Sequence, residues 1–235
     1  MTVSRQPGGL AQNLATSITA ACGDPSTWSI KTDYGYRDSL ALCVIDAIQS
    51  TGVRYGSVEA VVSRYRAHRG IDAETDGAPG LLATFTTLGG EEAWSERIGT
   101  DNRLYPRMTA PRKAVAIHAA AEMLTTVGVH TAEQFRSHAT DPDLRRAWLA
   151  LPSQKSAITW HYAHMLAGSD GVKPDRMIRR FTAANLGIPP GSLSDQDLID
   201  LVEAAAVELG RSAVEVDHAI WMCASGRTRL TANTS

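Results

Sequence analysis

Apolar residues recur at helical spacing through almost the whole chain, and no segment shows the alternation and hairpin turns of a strand ladder. Thr131, Ser194 and Ser57 resemble helix N-caps, while Pro111 and Pro142 lie where a first-turn proline is tolerated. The pattern predicts an all-α protein with helices at 9–22, 37–50, 57–68, 78–88, 90–98, 111–127, 131–138, 142–150, 154–167, 175–186, 195–209 and 213–224.

The predicted helix 37–50 is apolar around most of its circumference, which is typical of a buried helix. Asp46, Gln49 and Ser50 form a narrow polar strip on it. This strip either faces solvent or lines a cleft, and the pattern leaves both readings open.

The chain has 235 residues, of which 43% are hydrophobic and 20% charged, and this composition is typical of a globular protein. No apolar run reaches the roughly 18 residues of a membrane-spanning helix, so no membrane association is expected. The polar start of the sequence lacks the apolar core of a signal peptide, which favours a cytoplasmic protein. Cys22, Cys43 and Cys223 are too dispersed for a zinc site, a cluster or a disulfide framework. We therefore expect no metal and no cofactor.

The net charge is only −2, but charge is unevenly distributed. Segment 151–180 carries five basic and two acidic residues, and segment 51–70 carries four basic and one acidic. Segment 181–220 has seven acidic residues and one basic. A locally basic surface can attract a polyanion, although solvated helix faces explain any single charge run equally simply.

The most informative stretch runs from Asp141 to Phe181. It predicts a helix, a tight turn, a second helix, a short loop and an acid, Asp175, at the start of the next helix. Backbone N–H groups at such a turn bind phosphate, and Lys155 and Ser156 would add a charge and a hydroxyl. A carboxylate beside a flipped nucleotide can activate water or stabilise a sugar cation. Local sequence alone also explains Asp175 as an ordinary N-cap.

Residues 151–180 resemble the signature of the helix-hairpin-helix (HhH-GPD) DNA glycosylases, the superfamily of endonuclease III, MutY and alkyladenine glycosylase. The family hairpin reads Leu-Pro-Gly-x-Gly-x-x-x-Ala. A hydrophobic helix ending in Gly follows, and then a seven-residue approach to an invariant Asp. Four residues match this spacing without a gap: Leu151, Pro152, Gly168 and Asp175. The resemblance extends over about 38–226, and its specific part is 151–181.

The resemblance implies two helical subdomains, 38–168 ending in the hairpin and 1–37 joined with 169–235, with a cleft between them for double-stranded DNA. It implies a base-excision repair enzyme, a hydrolase that cleaves the N-glycosidic bond of a flipped, damaged or modified base, with Asp175 as the catalytic residue. The implied DNA-binding residues are Ser153, Gln154, Lys155, Ser156, Lys173 and Arg176. The implied base pocket consists of Asp46, Gln49, Tyr55 and Trp160. We expect a cytoplasmic monomer that associates with the nucleoid when it binds DNA.

Departures from the family signature limit the chemistry. Ser153 and Lys155 replace both hairpin glycines, and Ala157 occupies the position of the lysine that attacks the sugar in members with lyase activity. A Schiff base at that position is excluded, which leaves a monofunctional, water-using mechanism. The alternatives are a catalytically inactive DNA-binding protein of this fold and a helical interaction protein without nucleic acid. His161 and His164 have metal-ligand spacing, but no third ligand lies near them in sequence.

Overall fold

The computed structural model describes residues 7–28 and 34–226. Over these residues the protein is all-helical, as predicted, with one isolated β-bridge between Arg103 and Arg112. None of the described helices is long and apolar enough to cross a membrane. The α-helices are α1 (Pro7–Cys22), α2 (Leu40–Gln49), α3 (Tyr55–Arg69), α4 (Ala78–Leu88), α5 (Glu91–Arg97), α6 (Lys113–Thr126), α7 (Ala132–Ser137), α8 (Pro142–Ala150), α9 (Ile158–Leu166), α10 (Arg176–Leu186), α11 (Asp195–Leu209) and α12 (Ala213–Ala224). Pro25–Thr27 and Gly70–Glu74 are 3-10 helices.

Polar caps set several helix starts where the sequence predicts them. The side chains of Thr131 and Ser194 each accept a hydrogen bond from the N–H group three residues later, within capping boxes. Pro142 is the first residue of α8. Ser57 lies inside α3 and Pro111 precedes α6, so these two predicted starts are wrong. Both of those helices begin after an extended arginine that makes no side-chain cap.

The chain divides into two compact units, which we call the central unit (33–169) and the terminal unit (1–32 with 170–235). In the central unit, α2 is buried along its whole length and packs against α3, α6 and α9. Asp46 and Gln49 on its polar strip are 0% and 1% exposed. The reading in which this strip faces solvent is therefore wrong, and the two polar side chains lie in the interior.

A buried lysine stabilises the carboxyl end of α2. Lys113 is 1% exposed, and its Nζ atom donates hydrogen bonds to the carbonyl oxygens of Gln49 (2.7 Å) and Thr51 (2.6 Å). A cation at this end of a helix satisfies terminal carbonyl groups and complements the helix dipole. The start of α6 is thereby fixed to the end of α2, beside Gln49.

An aromatic cluster fills the space between α7, α8 and α9, and it consists of Phe135, Trp148, Trp160 and His164. The Phe135 ring stacks on the His164 imidazole with 3.9 Å between ring centroids, and Trp160 meets the same imidazole nearly edge-on. His164 is 5% exposed, and neither ring nitrogen has a hydrogen-bond partner. Burial, with a smaller effect of His161 and His138, lowers the pKa of His164 to about 3.

The terminal unit has an apolar core of its own. Helix α1 packs against α10, α11 and α12, and its buried face meets theirs. Its aliphatic side chains include Leu14, Ile18, Ile178, Leu198, Val202, Val216 and Ile220. Asp170 holds the start of α12, because its carboxylate accepts hydrogen bonds from the N–H groups of Ala213 and Val214.

Candidate functional site

Asp175 lies immediately before α10 and caps its N-terminus. Its Oδ1 atom accepts hydrogen bonds from the N–H groups of Met177 (2.7 Å) and Ile178 (3.1 Å). The side chain is partly exposed. A capped helix start fixes a carboxylate in position. Asp175 is thus both the helix cap that its local sequence indicates and a fixed carboxylate that a ligand can reach.

A second carboxyl group, that of Asp217 on α12, contacts the segment before Asp175. Asp217 is 5% exposed, and its Oδ1 atom accepts a hydrogen bond from the Lys173 N–H group at 2.9 Å. Burial, together with the nearby charge of Asp175, raises the pKa of Asp217 to about 7 against the lowering effect of that hydrogen bond. Asp217 was not among the predicted site residues. Its signal in the sequence is a lone acid on the otherwise apolar face of α12.

The two predicted basic contacts of the terminal unit flank Asp175. Lys173 is partly buried in the preceding loop, and Arg176 is exposed in the first turn of α10. A cation in the first turn opposes the helix dipole. Arg176 therefore does not stabilise α10 through the dipole.

The turn 151–157 joins α8 to α9 in the central unit. Ser153 has a φ of 62° and Ala157 a φ of 59°, both in the left-handed region that glycine adopts most easily. Lys155, which lies between them, does not have a positive φ. The side chains of Ser153, Lys155 and Ser156 are exposed. Ala157 provides no side-chain cap for α9, and the exposed side chains of the turn present two hydroxyl groups and one ammonium group on the surface.

The Gln154 side chain is 3% exposed and faces the interior, so the predicted DNA contact of this residue would involve its backbone alone. Its Oε1 atom accepts a hydrogen bond from the Thr159 hydroxyl, and its Nε2 atom donates one to the carbonyl oxygen of Pro152 (2.9 Å). The Thr159 hydroxyl also accepts a hydrogen bond from the Trp148 indole (3.0 Å). The side chains of α8, the turn and α9 are thereby connected, and Gln154 stabilises the turn.

We expect Thr159→Val to lower the free energy of unfolding by about 1–3 kcal/mol, because it leaves the buried Trp148 and Gln154 groups unpaired. Urea denaturation followed by tryptophan fluorescence measures this change. Thr126→Val is the matched control, since the Thr126 hydroxyl bonds to the carbonyl oxygen of Glu122 at an exposed position. Equal stability of the Thr159 variant and the native protein would contradict the role of this network.

The buried Asp46 forms a polar cluster, the Asp46 cluster, with the buried Tyr162 and the partly exposed Tyr36 and Tyr55. The hydroxyl groups of Tyr36 (2.9 Å) and Tyr55 (3.2 Å) donate hydrogen bonds to Oδ2 of Asp46. Burial and then the charge of Asp46 raise the pKa values of all three tyrosines, which keeps them protonated. Two predicted pocket residues, Asp46 and Tyr55, are thus in direct contact. Tyr36 and Tyr162 were not among the predicted pocket residues, and Tyr36 has no local signal that would indicate it.

The other two predicted pocket residues have different surroundings. Gln49 follows Asp46 by one turn of α2, and both atoms of its buried side-chain amide have no hydrogen-bond partner. A buried amide without partners lowers the stability by roughly 1–3 kcal/mol, so a hydrogen bond from a ligand or a water molecule to the Gln49 amide would be favourable. Trp160 is 2% exposed and belongs to the aromatic cluster with Phe135 and His164, a position that fits packing.

Histidines at metal-ligand spacing do not form a metal site here. His161 is partly exposed, while His164 lies buried in the aromatic cluster. Across residues 7–28 and 34–226, no group of three or more His, Cys, Asp or Glu side chains is arranged to hold a metal ion.

Comparison with known proteins gives a family but no activity. No curated protein and no solved structure matches this sequence. One family model, described as "Domain of unknown function (DUF8548)", matches residues 12–225. This match covers most of the chain, including the turn 151–157, the Asp46 cluster, Asp175 and Asp217. The chain therefore belongs to the DUF8548 family.

Proposed function

We propose that this protein is a DNA glycosylase-like base-excision protein that hydrolyses the N-glycosidic bond of a flipped, damaged or modified base. The observation that carries the proposal is Asp175. It is a partly exposed carboxylate, fixed at a helix start, at the spacing from Leu151 and Pro152 that resembles the helix-hairpin-helix glycosylases. Either feature alone is common in proteins, and their combination favours this reading.

The turn between α8 and α9 supports a phosphate contact. We propose that α8, the turn and α9 form the helix-hairpin-helix element of this protein. A left-handed backbone conformation costs a non-glycine residue such as Ser153 about 1–2 kcal/mol of stability. This cost indicates that the shape of the turn serves a purpose other than stability. N–H groups at the start of α9 and the exposed Lys155 and Ser156 offer the groups that bind a DNA phosphate without reading sequence.

The chemistry requires one water molecule and one carboxylate. Asp175 would stabilise positive charge on the sugar as the base leaves, or accept a proton from the attacking water. The water oxygen bonds to C1′ of the sugar, the C1′–N bond breaks, and the released base takes up the proton. Ala157 has no amine to attack the sugar, and the proposed reaction therefore ends at an abasic site without cleavage of the strand.

We place recognition of the flipped base at the end of α2. Of the predicted pocket residues there, Tyr55 is partly exposed and offers its hydroxyl group, which is bonded to Asp46. Asp46 and Gln49 are 0% and 1% exposed and would support this contact from the interior. Hydrogen bonds to the edge of an extruded base need groups of this kind. The binding of double-stranded DNA in a groove between two subdomains remains a prediction from the family resemblance.

The second candidate function is a DNA-binding protein of this fold that has lost catalysis. Lys155, in place of the second hairpin glycine, favours this alternative because it alters the turn that positions DNA in the family pattern. The retained carboxylate of Asp175 favours the enzyme.

The two candidates differ in a direct assay. Full-length protein is incubated with a panel of duplex oligonucleotides, each containing one damaged or modified base, and abasic sites are revealed by alkali. Binding to the same duplexes is measured by fluorescence anisotropy. Release of a base from any duplex supports the enzyme, and binding without release supports the inactive protein. Absence of both binding and release contradicts both proposals.

Lys155→Ala is expected to weaken duplex binding to a similar extent for all sequences and to reduce the salt dependence of log K by about one unit. The reason is that Lys155 would neutralise one phosphate and release one counterion. Anisotropy titrations at several NaCl concentrations measure this slope. Arg146→Ala, an exposed cation on α8 that pairs with Asp143, is the control. An unchanged slope for the Lys155 variant would remove the phosphate contact from the proposal.

A further inference from the structure

The three residues before α10 form a segment that is held at both ends. The N–H group of Lys173 donates to Asp217, and the N–H group of Asp175 donates to the Lys173 carbonyl oxygen (2.6 Å). Between them, Pro174 is buried and has a φ that its ring fixes. A chain of contacts therefore leads from Asp217 through the Lys173 peptide to the backbone of Asp175.

Asp175 in turn has little freedom once this backbone is fixed. Its Oδ1 atom accepts hydrogen bonds from two N–H groups of α10. Its backbone is extended, with a φ of −83° and a ψ of 178°. The direction of the carboxylate depends on how the extended backbone enters the helix. Loss of the contact at Lys173 would release the segment and leave only the helix cap to orient the carboxylate.

Asp217 itself is too deeply buried for direct contact with a substrate, since 5% of the residue is exposed. A buried carboxyl group is costly to ionise, and the pKa of about 7 shows this cost. The groups that act on its charge are the N–H group of Lys173 and the charges of Lys173 and Asp175. An apolar side chain would fill the same place at a smaller cost, so the acid serves a contact that only an acceptor can make.

We propose that Asp217 is a positioning residue: it holds the Lys173 peptide and thereby orients the Asp175 carboxylate toward the bond to be hydrolysed. The role at catalysis rests on the proposed function, whereas the structural link from Asp217 to the 173–175 segment does not. The two parts can therefore be tested separately.

The structural part is tested by hydrogen–deuterium exchange on the full-length protein. Asp217→Val removes the acceptor and introduces an apolar side chain of similar size, while Asp217→Asn keeps a carbonyl acceptor. We expect exchange of the Lys173 amide to be about tenfold faster in the Val variant and close to native in the Asn variant. Slow exchange in the Val variant would overturn the proposal. If the Val variant does not fold, Asp217→Ala takes its place with the same expectations.

The catalytic part is tested by single-turnover base release with the duplex that the native protein cleaves. We expect the Val variant to react at least about tenfold more slowly, with a Kd for that duplex within about twofold of native. The Asn variant should recover most of the native rate. Equal loss in the Asn and Val variants would overturn the positioning role, because the acceptor would then be insufficient.

A core control separates positioning from general loss of stability. The control variant is Ile220→Val. Ile220 lies on the same helix as Asp217, is fully buried and makes no hydrogen bond to the polar segment. A rate loss in this variant equal to that of the Val variant at 217 would overturn the proposal. If the native protein releases no base from any duplex, the proposed function fails, and the exchange experiment still decides whether Asp217 holds the segment.

Discussion

Replacement of Asp175 by asparagine is expected to slow base release by about 10²–10⁴-fold and to leave the protein folded. Asparagine caps a helix about as well as aspartate, so the hydrogen bonds to Met177 and Ile178 survive the change. The negative charge is lost. Neither stabilisation of a sugar cation nor activation of water by a carboxylate then remains.

Asp141 provides a matched control for this experiment. It caps α8 with the same geometry, since its Oδ1 atom accepts hydrogen bonds from the N–H groups two and three residues later. Asp141→Asn therefore makes the same chemical change at a helix start without the proposed catalytic role. Single-turnover rates and duplex affinities of both variants are compared with those of the native protein.

The result has a clear reading. A slow Asp175 variant, a native-like Asp141 variant and equal affinities for DNA would support a catalytic carboxylate. Native rates in the Asp175 variant would mean that the residue is only a cap, and the mechanism would be wrong. The spacing from the hairpin would then reflect the fold alone.

The stability of the protein is expected to decrease on acidification, and replacement of His164 should remove much of this effect. The pKa of His164 is about 3 in the folded protein and 6.5 when it is unperturbed. Between these values the unfolded chain binds a proton that the folded protein excludes. Stability therefore falls as the pH falls from 6.5 to 3, by roughly 1.4 kcal/mol per unit and by roughly 4–5 kcal/mol in total.

His164→Phe tests this expectation, because phenylalanine continues the stack on Phe135 without a titrating nitrogen. Urea unfolding at a series of pH values from 7 to 4 gives the free energy of unfolding for each protein. The stability of the variant relative to native should increase by about 3 kcal/mol across this range. The exposed His68 is the control, as His68→Phe leaves the cluster intact. A difference between the His164 variant and the native protein that stays constant with pH would contradict the assignment.

The helices could be predicted because their signals are local. Periodicity located all twelve described α-helices, and caps such as Thr131 and Ser194 are read within four residues. The errors are also local. Helix α9 begins at Ile158 and not at 154, because the left-handed Ala157 delays the helix and no composition signal marks an alanine in that conformation.

The candidate site was predictable only where a side chain acts on its own neighbourhood. Asp175 caps the helix that follows it, and its sequence shows this. The contact of Asp46 with Tyr36 and that of Asp217 with Lys173 depend on how distant elements pack. The buried position of the Gln154 side chain was not predictable either, since a polar residue in a turn is usually exposed, and the contact that holds it is with the hydroxyl of Thr159.

The order of the two units along the chain has a consequence for synthesis on the ribosome. Helix α1 belongs to the terminal unit, but its packing partners α10, α11 and α12 are encoded after the whole central unit. At a synthesis rate of roughly 5–20 residues per second, the apolar face of α1 lacks these packing partners for on the order of ten seconds. During this interval the central unit can fold, while Leu14 and Ile18 remain exposed to chaperones or to other nascent chains. Slow translation of the last third of the message would prolong this exposure and increase aggregation.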